Sequence, residues 1–287
     1  PEKIGPIMLA GAPLSYWAGK VGQNPMRYTG GMLGGSWLSS FAADVGDGLF
    51  DGAHLVTNFE MLDPANTFWK KPYHLYANID TEPVRYLDFD KWWTGHFMMT
   101  RQEIDWIVQN LFVGNRLAKG KIPNPVGPGA IDLRNIRTPI VVFASQKDNI
   151  TPPAQALNWI ADLYETDQEL LDNEQVIVYC LHETTGHLGI FVSSGIAGRE
   201  HEALVGALEL IELLPPGLYE VNIEDLHPET SHQEWVEGRH VVRFEPRSIS
   251  DLAQLDDGRD DEVPFEVVKK VSAVNQQLYD TSLAPLV

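Results

Sequence analysis

Pro139-Ile140-Val141-Val142-Phe143-Ala144 runs directly into Ser145-Gln146-Lys147-Asp148-Asn149-Ile150-Thr151-Pro152-Pro153. The first six residues are an apolar, β-branched run bounded by proline and polar residues, the pattern of a strand buried on both faces of a parallel sheet. Over residues 153–164, Ala156, Leu157, Ile160, Ala161 and Tyr164 recur at helical spacing. A second buried run follows, Val176-Ile177-Val178-Tyr179-Cys180-Leu181. Strand, loop, helix, strand is a βαβ unit, and its crossover is right-handed. Upstream, residues 4–10 form a third such strand, ending at Gly11-Ala12-Pro13.

The chemistry-bearing residues follow the two clearest strands. Asp148 lies just beyond the first, at the carboxyl edge of a parallel sheet, where doubly wound folds bind ligands. Taken alone, Asp148 reads as a cap for the next helix. The second strand runs into Leu181-His182-Glu183-Thr184-Thr185-Gly186-His187-Leu188-Gly189, which places His187 in a loop at the same edge. An acid after one strand and a histidine after the next match the later members of a nucleophile–acid–base triad. In that arrangement the acid orients the imidazole while the ring takes a proton from the nucleophile. Asp148 and His187 are therefore the candidate catalytic pair.

Other constellations are weaker. His182-Glu183 with His187 resembles a zinc H-E-x-x-H motif, but the histidines are five residues apart rather than four. On a helix that spacing turns the second ligand about 100° off the face, so no metal site is expected. No G-x-S-x-G or G-x-C-x-G elbow occurs in the chain. Cys180 lies within a strand and reads as an inert buried thiol; Ser36 follows Gly34-Gly35 but has no glycine two places after it, and Ser194 is no better placed. The loop Gly30 to Gly35 neither follows a clear strand nor ends in G-K-[ST], which speaks against a phosphate cradle. Trp69, Trp92, Trp93, Phe97 and Trp106 read either as lining for an apolar acyl site or as core of a cap.

The rest of the chain sets limits. Residues 20–130, rich in Gly, Trp, Tyr and Phe, read as a cap inserted between core strands; a helix is expected over 97–117. Residues 131–217 carry the acid and histidine loops, with a helix over 200–214 that stops at Pro215-Pro216-Gly217. Residues 218–287 turn acidic and read as an appended extension, with one short strand at 240–244 and a helix at 265–279. With 21 Lys plus Arg against 40 Asp plus Glu, the net charge of −19 excludes sequence-independent nucleic-acid binding and electrostatic docking on anionic lipid. A single cysteine excludes a disulfide framework. No run of about 18 apolar residues is present, so no transmembrane helix is expected. The opening at Pro1, with neither Met nor a signal-like stretch, reads as a piece of a longer protein.

Three stretches resemble the poly(3-hydroxyalkanoate) synthases of the α/β-hydrolase superfamily, and more closely a polyhydroxyalkanoate synthetase-like bacterial group. Phe89-Asp90-Lys91-Trp92-Trp93-Thr94, with the helix ending Leu111-Phe112-Val113-Gly114-Asn115-Arg116-Leu117-Ala118-Lys119-Gly120, is similar to the segment pairing F-D-x-x-x-W with N-x-L-x-x-G. Ile131-Asp132-Leu133-Arg134-Asn135-Ile136-Arg137-Thr138-Pro139 leading to Asp148-Asn149-Ile150-Thr151-Pro152 resembles the strand and acid loop D-x-I-x-P, and Gly186-His187-Leu188-Gly189 resembles the histidine loop G-H-I-x-G. The match spans roughly residues 1–215. The resemblance implies an α/β-hydrolase core, residues 1–19 and 131–217, carrying an aromatic cap. It implies an acyltransferase that makes polyester from hydroxyacyl-coenzyme A, with His187 as base, Asp148 as acid, and Trp92 and Trp93 as substrate-binding residues. The acyl-coenzyme A is substrate, and no resident cofactor is implied. The family's cysteine nucleophile would precede residues 4–10 and so fall before Pro1; the activity would then belong to the parent protein. A cytoplasmic place at polyester granules goes with it, and a homodimer stays open. Lys70, Lys71, Lys119 and Lys121 are candidates for contacting an anionic substrate. Ester hydrolysis, or a silent module of the same fold binding a granule or partner, remain the alternatives.

Overall fold

The computed structural model describes residues 4–19, 34–61, 63–225, 240–255 and 258–287. The chain divides into two compact units. One comprises residues 1–29 and 110–268, the other residues 30–109 and 269–287.

The first unit is built on a five-stranded sheet: β1 (Ile7–Ala10), β2 (Ile140–Ser145), β3 (Val176–His182), β4 (Gly217–Asp225) and β5 (His240–Arg247), in that spatial order. The pairs β1/β2, β2/β3 and β3/β4 are parallel, and β4/β5 is antiparallel. The expected apolar strands thus form a mostly parallel sheet. Because side chains alternate across a strand, β2 feeds two separate layers. Ile140, Val142 and Ala144 pack with Leu157 and Ile160 of the helix Pro153–Leu163. Val141 and Phe143 pack on the opposite face with Ile190, Leu204 and Ile211. All six residues of β2 are buried, which is why its sequence is apolar without alternation.

Helix boundaries follow local chemistry. Pro153 opens the helix Pro153–Leu163 at its first turn, where a missing N–H costs nothing. The expected helix over 200–214 is instead broken into Ala197–His201, Glu202–Gly206 and Leu208–Glu212; Gly206 and Ala207 sit at the break. Asn115 adopts a left-handed φ of 46° and accepts the Tyr16 N–H on Oδ1 at 2.8 Å. The asparagine of the N-x-L-x-x-G stretch therefore pins the turn that leaves β1.

The expected acidic extension is corrected by the sheet. Residues 217–225 and 240–247 are its fourth and fifth strands, register-matched from Leu218 opposite Arg247 to Asp225 opposite His240. The short strand expected at 240–244 extends to Arg247, and the terminal helix spans Val263–Leu278. Acidic side chains on this pair face basic partners, with Arg247 reaching Glu220 at 2.8 Å and Glu245 at 2.7 Å. Charge density hid a strand pair that satisfies its charges across the ladder. Asp256 and Asp257 lie outside the described residues.

The second unit is mostly helical. It contains the helices Ser36–Val45, Ala53–Glu60, Lys71–Ala77, Pro83–Trp93 and Arg101–Ile107, and a two-stranded ribbon of Leu49–Asp51 with Met98–Thr100. The helix expected over 97–117 begins only at Arg101, where Thr100 and Glu103 form a reciprocal capping box. Those hydrogen bonds hold the Glu103 carboxyl below its usual range. Ala43, Phe50 and Ile104 form the core of this unit. Asp44 accepts from Arg101 at 2.9 Å and from the Tyr279 hydroxyl.

Leu157 is fully buried between helix and sheet. Leu157→Ala should therefore cost about 2–5 kcal/mol, read as a lower denaturant midpoint with unchanged slope. A loss below about 1 kcal/mol would contradict the packing described.

Candidate active site

β2 and β3 run parallel, with Ser145 opposite His182, so the segments that follow them emerge at one edge. From β2, Asp148 turns back on itself. Its Oδ1 accepts the N–H groups of Ile150 at 2.9 Å and Thr151 at 2.8 Å, an Asx-type turn. Its Oδ2 lies 2.8 Å from Nδ1 of His187. The capping reading of this residue is thus half right: one oxygen organises the local turn, and the other meets the histidine. The helix cap itself is Pro152, not Asp148. Asp148 is 2% exposed, so its charge is stabilised by these three contacts rather than by water.

His187 comes from β3 through the turn 183–186. It opens a six-residue helix, His187–Val192, rather than lying in an open loop as expected. The ring packs edge-on to Phe191, with centroids 5.6 Å apart. Gly11, just past β1, has φ +55°, and a Cβ there would lie 3.3 Å from both His187 Cε1 and Phe191 Cζ. The left-handed φ favours glycine here, and a Cβ would press on the imidazole and Phe191 by a few tenths of an ångström. With Nδ1 against a carboxylate, that nitrogen carries the proton of the neutral ring and Nε2 is left with its lone pair. Among the described residues no hydroxyl or thiol hydrogen-bonds to Nε2.

Ser145 joins the two loops. Its hydroxyl lies 3.1 Å from the carbonyl of His182 and closer still to that of Thr185. Its own carbonyl accepts from the Asp148 N–H at 3.1 Å. Ser145 is fully buried, so the Asp turn and the His turn are fastened to each other through one side chain. Sequence reading passed over this residue; its only signal was a hydroxyl ending an otherwise apolar strand.

The remaining candidates separate from the pair. Cys180 is 4% exposed within β3, and burial, helped by the nearby Glu200 charge, pushes its thiol up to about 12. It is no nucleophile in this state. Among the described residues no group of three His, Cys, Asp or Glu side chains could hold a metal ion. Ser194 lies in the short helix Ser194–Ile196, and Ser36 starts the helix Ser36–Val45 of the second unit. Trp92 and Trp93 also belong to the second unit, at the end of Pro83–Trp93. Trp93 stacks on Phe89 at 6.0 Å and donates to Glu60 at 3.2 Å, while Trp92 is half exposed. Trp69, Phe97 and Trp106 are also exposed, so these aromatics are mostly not cap core. Of the lysines, Lys71 pairs with Asp90 at 3.1 Å and Lys119 lies over the Trp17 ring at 4.4 Å. Lys70 and Lys71 border a cavity of about 690 Å³ within the second unit, together with His74, Arg85, Tyr86 and Phe89. Most of Gly30 to Gly35 falls outside the described residues.

A mostly parallel sheet with a buried carboxylate in contact with an imidazole at its carboxyl edge defines an α/β protein. The chain belongs to the DUF3141 family, described as a protein family of unknown function, whose model matches residues 1–287. It is 52% identical over 287 residues to the "Uncharacterized protein in ackA 5'region" of Rhizobium meliloti, a match covering 99% of this chain and 39% of that protein. The chain thus spans well under half the length of this curated relative. No solved structure matches it. No helix among the described residues is long and apolar enough to cross a membrane.

Two outcomes test this geometry. Ser145→Ala should destabilise the chain by about 1–3 kcal/mol, the cost of removing the buried hydroxyl that meets the Thr185 carbonyl, while the His182 carbonyl keeps the Gln146 N–H at 2.8 Å; an unchanged melting temperature would contradict this fastening. Because the Cys180 pKa is raised, only about one thiol in ten thousand is ionised at pH 8. Native protein should therefore resist a thiol reagent that labels the denatured chain within minutes, and fast native labelling would overturn the buried-thiol assignment.

Proposed function

We propose that this chain supplies the acid–base half of an acyl-transfer centre on an α/β-hydrolase core. The parent protein would be an acyltransferase of the polyhydroxyalkanoate-synthase type acting on hydroxyacyl-coenzyme A. The observation that carries this reading is the 2.8 Å contact between buried Asp148 and His187 at the carboxyl edge. An Asp–Nδ1 contact serves a base whose Nε2 must be free and correctly oriented. The D-N-I-T-P and G-H-L-G loops, similar to those of the synthases, are the same two loops that build the pair.

The nucleophile would be a cysteine outside these 287 residues, in the part of the parent to which the longer relative corresponds. His187 Nε2 takes the cysteine proton as sulfur attacks the thioester carbonyl. Coenzyme A then leaves as its thiol, carrying that proton. In the second half, His187 takes the proton of an acceptor hydroxyl as its oxygen attacks the acyl-enzyme, and returns it to the departing cysteine sulfur. The growing polyester supplies that hydroxyl. Asp148 stays ionised and stabilises the imidazolium formed twice per cycle. A setting in the cytoplasm at polyester granules belongs to the same proposal, as do substrate contacts from Trp92 and Trp93.

The test is release of coenzyme A from 3-hydroxybutyryl-coenzyme A by the parent protein, with product analysis. Polymer is expected, and His187→Ala should lower turnover by about 10²–10⁴-fold. Free hydroxy acid would redirect the reading to hydrolysis. Full turnover in the variant, or none in the wild type, would overturn it.

A further inference from the structure

A second histidine–carboxylate pair sits behind the first. His182, the last residue of β3, turns its Nδ1 toward the chain just ahead of it. That atom accepts two backbone N–H groups, from Thr184 at 3.2 Å and Thr185 at 3.1 Å. A nitrogen that accepts cannot carry the ring proton, so neutral His182 bears it on Nε2. Nε2 lies 3.6 Å from Oε1 of Glu200, whose side chain is 6% exposed. At that separation the two are charge neighbours rather than a hydrogen-bonded pair. A polar cavity of about 360 Å³ adjoins them, lined by His182, Thr184, Arg199, Glu200 and Asn222 among others. Arg199 holds the same Glu200 oxygen from 3.6 Å and donates to the carbonyl of Ile223 at 2.9 Å, fixing the carboxylate against β4.

We propose that His182 and Glu200 form a positioning pair for His187. The Glu200 carboxylate near Nε2 adds to the two N–H groups at Nδ1 in favouring the Nε2–H tautomer of His182. Nδ1 gathers the N–H groups of the turn 183–186, and that turn delivers His187 to Asp148. The arrangement repeats the logic of the active pair with the tautomer reversed: Asp148 draws the proton to Nδ1 of His187, and Glu200 helps to hold it on Nε2 of His182. Neither residue touches the reacting atoms. The role of His182 in function rests on the proposed acid–base reading of His187, but its structural content can be measured without any substrate.

The experiment is long-range ¹H–¹⁵N correlation and amide exchange on the 287-residue chain. Wild type should show His182 as the Nε2–H tautomer, with slow exchange at Thr184 and Thr185. His182→Asn keeps an acceptor where Nδ1 stood and should hold that protection within about threefold. His182→Leu removes it and should speed exchange by about tenfold or more, the scale of one net hydrogen bond, and broaden or shift the His187 ring signals. Glu200→Gln should weaken, without abolishing, the Nε2–H preference of His182, since the two N–H donors to Nδ1 remain. An Nδ1–H tautomer at His182 in the wild type, or equal protection in the Leu and Asn variants, would overturn the proposal. Asp148→Asn separates the two readings. If it alters the His187 ring signals while His182→Leu does not, the acid–base reading stands and the positioning pair fails. If His182→Leu acts as expected but Asp148→Asn leaves the His187 tautomer unchanged, the positioning pair stands and the acid–base reading fails.

Discussion

The Asp148 carboxylate is the constraint on which the site depends. It is buried, and its two oxygens work in different directions. Oδ1 gathers two N–H groups of its own turn, and Oδ2 meets Nδ1 of His187. A buried carboxylate with fewer partners would be costly, so the turn and the dyad stabilise each other. This division explains why a short polar loop can leave a fully apolar strand and still hold a charged group at a fixed position.

The sheet determines where this can occur. Parallel pairing of β2 and β3 sends both following segments to the same edge, and Ser145 opposite His182 fastens them together. Gly11, just past β1, takes a left-handed φ and sits closely beside the imidazole. Three successive strand ends thus contribute a glycine, a carboxylate and a base. His182 lies near Glu200 and Arg199, and Arg199 donates to the Ile223 carbonyl of β4.

Much of this was legible in the chain. The β2 and β3 runs are apolar without alternation because each is covered on both faces, and that signal survives in composition alone. Asp148 and His187 could be picked out because position beyond a parallel strand restricts what a carboxylate and an imidazole are for. Other features were hidden for physical reasons. The strands Gly217–Asp225 and His240–Arg247 looked like an acidic tail because acidic side chains of the first, Glu220 and Glu224, pair with Arg247 and Arg243 of the second, far away in sequence. Ser145 and Glu200 carry no motif; their importance comes from what tertiary structure places beside them. The aromatic residues of the middle segment read equally as core or as lining, and their exposure could be known only from the packed helices.

The central claim is that Asp148 fixes His187 with its proton on Nδ1 and Nε2 free to act as base. Long-range ¹H–¹⁵N correlation of the His187 ring at neutral pH tests this directly. The account predicts a protonated Nδ1 and an unprotonated Nε2, with that preference lost in Asp148→Asn. An Nε2–H tautomer in the wild type would contradict it.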